Sequence, residues 1–202
     1  MGVSLSWIGV HPTTTNDLYT KLGLSETGRA GDYYDFPIAG QTFPSGWCVL
    51  IGKQCDHPIL SNEVLSVLSA ERSVIACSIE EHVMHMSAAL WHDGRETWSM
   101  QHRGGDYGIM DLVVKGAPPD SFGDLRAHYF TLQEEAGGDS ADVDHIADIP
   151  LRLAQSFVGF KHDEFNRTID DGFRELRQEP AGLLAQAGKA AGKATRTRRK
   201  FW

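Results

Sequence analysis

His85–His102 reads HMSAALWHDGRETWSMQH, two runs of strand-forming residues around Asp93-Gly94. Asp-Gly suits a two-residue type I′ turn because both central positions need positive φ, and Trp91 and Trp98 flank it within β-prone segments. A turn of that length sets Ala89 opposite Trp98, Ser87 opposite Met100 and His85 opposite His102. A one-residue slip would carry every one of these side chains to the other face. The hairpin therefore predicts an antiparallel sheet and leaves its facing open to the register.

Upstream, residues 3–10 alternate as a strand, and Thr13–Leu24 read as a short helix with Thr14 and Asp17 at capping-box spacing and Gly23 near its end. Gly28, Gly31, Pro37, Gly40, Pro44 and Gly46 make residues 25–46 a long irregular connection and a candidate contact surface. Trp47–Gly52 and Val74–Ile79 read as buried strands. Between them Ser61 caps a helix whose Val64, Leu65 and Leu68 face the core. Downstream, Gly104, Gly105 and Gly108 break the ladder and Ile109–Val114 supplies a further strand.

Phe122, Leu125, Tyr129 and Leu132 then recur at helical spacing until Gly137-Gly138, with Asp120 or Ser121 as the cap. A second helix runs from Pro150 to near Gly159. Phe165, Ile169, Phe173 and Leu176 suggest a third, ended by Pro180. The order predicts a single α+β domain over residues 1–180, with a mainly antiparallel sheet, a central β-hairpin and helices packed on one face. Residues 181–202, rich in Ala, Gly, Lys and Arg, read as a flexible tail.

Composition fits that reading: 202 residues, 41% hydrophobic and 23% charged, are enough to bury a core without disulfides or metal. No apolar run approaches the roughly 18 residues that span a bilayer. Three cysteines, Cys48, Cys55 and Cys77, form no CxxC pair, which predicts a soluble protein of the reducing cytoplasm.

Charge divides the chain. The net charge is −8, yet Lys189, Lys193, Arg196, Arg198, Arg199 and Lys200 crowd the last fourteen positions with no acid among them. Without those six, 13 of the 19 basic residues remain against 27 acids, so residues 1–188 sum to −14. A body of that sign repels phosphates and speeds encounter with a basic protein. Nucleic acid is then a partner for the basic tail only.

Sequence motifs for catalysis are missing. The chain has no GxSxG elbow, no phosphate-binding GxxxxGK[ST] loop, no GxGxxG and no HExxH. Cys77, among Val74, Ile75, Ala76 and Ile79, reads as a buried, inert thiol. The hairpin register would bring His85 and His102 together as two ligands of a metal ion, with Glu81 or Asp106 needed as a third. Asp139, Asp142, Asp144, His145 and Asp148 offer hard ligands, but a calcium loop started at Asp139 would have Asp144 where Gly and Pro150 where Glu are required.

Gly46-Trp47, Ser78-Ile79-Glu80-Glu81-His82-Val83-Met84, Trp91-His92-Asp93-Gly94 with Trp98, and Asp142-Val143-Asp144 ahead of Asp148-Ile149-Pro150-Leu151 together resemble small bacterial proteins. Some of that type are immunity proteins for polymorphic toxins. The resemblance spans residues 3–163 and carries no active-site residue across. It implies a non-enzymatic protein-binding module, without a cofactor, that neutralises a toxin domain by occluding its basic active site. The contact candidates are Tyr33, Tyr34 and Asp35 in the long connection, His92, Asp93 and Arg95 at the hairpin tip, and Asp142 and Asp144 in the acidic loop. The alternative is a metal-dependent hydrolase or transferase using His85 and His102.

Overall fold

The computed structural model describes residues 2–164 and 172–198. One nine-stranded antiparallel sheet runs through them, formed by β1 (Ser4–His11), β2 (Leu24–Gly31), β3 (Ile38–Thr42), β4 (Cys48–Lys53), β5 (Ser73–Glu80), β6 (His85–His92), β7 (Arg95–Arg103), β8 (Val113–Gly116) and β9 (Phe173–Gln178). Their order across the sheet is β2-β9-β3-β4-β1-β5-β6-β7-β8. The class is the expected α+β, built around an antiparallel sheet.

Helices cover both faces of the sheet, not one. The six α-helices are α1 (Thr15–Leu22), α2 (Asn62–Leu68), α3 (Gly104–Tyr107), α4 (Ser121–Ala136), α5 (Asp148–Val158) and α6 (Leu183–Arg198). Strand alternation explains the two layers, since successive side chains point to opposite sides. In β1, Leu5 and Trp7 enter a core completed by Ile149, Leu153 and Val158 of α5. Ile8 and Val10 enter a second core with Leu18, Leu22, Val64 and Leu68 of α1 and α2. A sheet that is apolar on both sides needs a layer on each.

The caps form where the residue types require. Asp17 N donates to Thr14 Oγ1 at 3.2 Å and Val64 N to Ser61 Oγ at 3.3 Å, while Gly23 and Gly159 close α1 and α5 in the left-handed conformation.

Three expectations are corrected. Residues 25–46 are not one irregular connection: β2 and β3 take most of them, joined by a short 3-10 turn, Tyr33–Asp35. Phe173 and Leu176 lie in β9, between β2 and β3, and bury themselves in different cores, as odd and even strand positions do. Their helical spacing had a second reading as a strand; Phe165 and Ile169 lie outside the described residues. The tail starts as helix α6, whose Leu184 and Ala187 are buried in the second core, so its first turns are docked rather than free.

The central hairpin carries a further correction. Asp93 and Gly94 have φ of 50° and 73°, as a type I′ turn demands, and His92 pairs with Arg95. The register then slips: Trp91 pairs with Glu96 but Leu90 pairs with Trp98, leaving Thr97 as the extra residue of a β-bulge. Beyond it, Ala88 faces Met100 and Met86 faces His102, while His85 faces Arg103.

Candidate functional site

The bulge separates the two histidines of the metal hypothesis. His102 turns into the first core and is fully buried, whereas His85, one register step away, hydrogen-bonds Gln101 on the second face. They cannot share one ion. Among the described residues no group of three His, Cys, Asp or Glu side chains is placed to hold a metal.

His102 instead joins two distant segments. Its Nδ1 donates to the Asp111 carbonyl at 2.6 Å and its Nε2 lies 2.9 Å from Asp144 Oδ2. Burial alone would lower the imidazole pKa, but the Asp144 carboxylate and the Asp111 carbonyl outweigh it and the pKa is raised. The other oxygen of Asp144 accepts from Ala147 N at 3.0 Å, which starts the turn into α5. Gly104 lies against this pair: a Cβ there would sit 2.7 Å from both Asp144 Oδ2 and His102 Nε2.

Gln133 fixes the rest of the acidic loop. Fully buried on α4, it accepts from His145 N at 2.7 Å and donates to the carbonyls of Gly138 and Val143 at 3.0 and 3.1 Å. Nothing in its helical spacing marks it; a polar residue inside an otherwise amphipathic stretch was the one available signal.

A third set of contacts fixes the turn after β5. The Glu81 carboxylate accepts from Val3 N at 2.7 Å and meets His162 Nε2 at 3.0 Å, and the His162 carbonyl accepts from the Tyr33 hydroxyl. Next to it the buried Lys161 ammonium bridges Asp163 at 2.6 Å and Asp148 at 3.1 Å. Glu80, bonded to Ser4, His82 and Cys55, holds its carboxyl down at about 2.

These ties bring exposed apolar side chains to one end of the sheet, where β5 ends and β6 begins. Val83 is 52% exposed and its backbone touches Gly105 of α3; Tyr107, 64% exposed, follows on α3 with Arg103 stacked on its ring at 3.9 Å. Val143, next to the anchored Asp144, is 46% exposed. Tyr34 stacks on Tyr33 and lies within electrostatic reach of Glu81 and Asp163. Around them Asp35, Asp106, Asp139 and Asp142 are exposed and have no ion partner among the described residues.

The contact candidates divide accordingly. Tyr34, Asp35 and Asp142 are exposed near this end. Tyr33 is buried and Asp144 is committed to His102, so both position neighbours rather than offer a surface. His92, Asp93 and Arg95 are exposed at the turn joining β6 to β7, the opposite end of the hairpin from His85 and Arg103. A single partner footprint over both ends would have to run the length of β6, about 25 Å for eight residues. Sequence reasoning missed Val83 and Tyr107, which only their exposure singles out.

Compared with known protein families, with curated proteins and with solved structures, the chain matches none. No helix among the described residues is long and apolar enough to cross a membrane.

Proposed function

We propose that the chain is a non-enzymatic binding module for a basic protein, of the immunity type, and that its contact surface is the end bearing Tyr34, Val83, Tyr107 and Val143. The observation that carries the reading is that these four exposed apolar side chains lie among exposed carboxylates with no ion partner among the described residues. Apolar anchors set residence time, and the surrounding charge sets encounter rate and excludes acidic partners. In the specific form implied by the resemblance, the acidic end covers the basic active site of a toxin domain.

Rigid support favours the same reading. His102–Asp144, Gln133 and Glu81–His162 each hold a loop that presents one of the anchors, so little ordering cost falls on binding.

The test is association with purified basic toxin domains, measured at several salt concentrations for Val83→Ser, Tyr107→Ala and Asp142→Lys. Each variant should weaken binding, Val83→Ser by about fivefold or more. Asp142→Lys should act mainly on the association rate. Full-strength, salt-independent binding by all three would overturn the proposal.

A further inference from the structure

The second face of the sheet carries a trough of about 210 Å³ at the opposite side of the hairpin from His102. Its floor is a cross-strand row of small side chains: Ala76 faces Ala89, and Ala89 faces Ser99. Leu65 of α2 and Trp91 wall it. Ala76 is buried and Ala89 half-buried, and alanine is a poor strand former at positions where a larger residue is ordinary. Two alanines here leave space where longer side chains would close it.

The charged groups of the trough are placed by the bulge. Glu96 and Ser99, three apart, would point to opposite faces of a regular strand. With Thr97 as the extra residue they share one face, and Ser99 Oγ donates to Glu96 Oε1 at 2.7 Å. Lys115 of β8 is the cross-strand partner of that same Ser99. No ion pair joins Lys115 to Glu96, and Lys115 has no partner among the described residues. A cation and an anion thus flank one serine at the edge of an apolar floor. The bulge is itself held in place, since Gly116, at φ 73°, packs onto the Thr97 carbonyl where a Cβ would sit at 2.2 Å.

We propose that this trough binds a free α-amino acid with an apolar side chain. Its carboxylate meets Lys115, its ammonium meets Glu96, and its side chain lies over Ala76 and Ala89 toward Leu65. Such a zwitterion carries its two charged groups on one carbon, and the trough offers Lys115 and Glu96 on either side of one serine. The volume suits a leucine-sized solute, because an apolar cavity of about 150 Å³ already takes benzene. The site is independent of the acidic end and of any protein partner.

The experiment is titration of L-leucine into the isotope-labelled full chain, read by amide chemical shifts. Saturable shifts confined to residues around Ala89, Ser99 and Lys115 are expected, with a dissociation constant on the order of 1 mM. N-acetyl-leucine, which lacks the ammonium, and leucinamide, which lacks the carboxylate, should each bind about threefold to fivefold more weakly. Lys115→Gln should weaken leucine by the same factor and leave leucinamide unchanged; Glu96→Gln should do so for leucine and not for N-acetyl-leucine. Both substitutions are on exposed side chains, so the fold is kept, and Ala89→Leu should fill the floor and abolish the shifts. Absence of localised shifts, or equal binding of leucine and its two derivatives, would overturn the proposal.

Discussion

His102 and Asp144 lie 42 residues apart in the chain and 2.9 Å apart in space. The pair is buried, with 0% and 8% of the two side chains exposed, and it closes the end of the hairpin onto the loop that enters α5. Deleting one member of such a pair leaves the other without its partner in a dry environment. Asp144→Ala should therefore cost about 3 kcal/mol in denaturant unfolding. A loss below about 0.5 kcal/mol would show that water replaces the carboxylate.

The same pair gives a pH dependence of defined sign. The folded pKa of His102 is raised above its ordinary value of 6.5. Its contribution to stability is complete below the unfolded pKa and is lost as pH rises through the folded one. Stability of the native chain should fall on going from below about pH 6.5 into the alkaline range, and His102→Gln should flatten that slope. An unchanged slope in the variant would assign the effect to another group.

Gly116→Ala tests the bulge. The added Cβ meets the Thr97 carbonyl and the backbone is left-handed at that position, so both strain and clash oppose it. A loss of about 2 kcal/mol or more is expected, together with altered amide shifts at Glu96 and Ser99. Wild-type stability would mean that β8 moves away without cost.

Gln133→Leu should free the acidic loop. The substitution leaves His145 N and the carbonyls of Gly138 and Val143 without their buried partner. A cost of about 2 kcal/mol is expected, with faster hydrogen exchange at His145 than in the sheet.

Leu184→Ala examines the docking of α6. Leu184 is fully buried in the second core, and its truncation should destabilise the whole chain by about 2–4 kcal/mol. If α6 were an unattached tail, removing those methyl groups would leave the unfolding midpoint where it was.

Much of the fold was legible because it rests on local chemistry. Thr14, Ser61, Gly23 and Gly159 bound their helices, and Asp93-Gly94 makes its turn, through contacts a few residues long. The site was less so. Tyr34, Asp35 and Asp142 could be named as exposed polar or aromatic loop residues, but Val83 and Tyr107 differ from core residues only in what packs on them.

The sequence by itself determined the class, the caps, the type I′ turn, the charge division between body and tail, and the apolar residues of both cores. The tertiary structure alone decided which face each of those residues meets. Thr97 is drawn out of the ladder by β8, through Gly116 packed on its carbonyl and Ala117 N bonded to it, and one slipped residue then sends His102 inward and brings Glu96 beside Ser99. Phe173–Gln178 became a strand because a place between β2 and β3 satisfied its backbone on both sides. Side-chain period is local, whereas register and strand partners depend on contacts made by segments far away in the chain, and those appear only when the sheet is assembled.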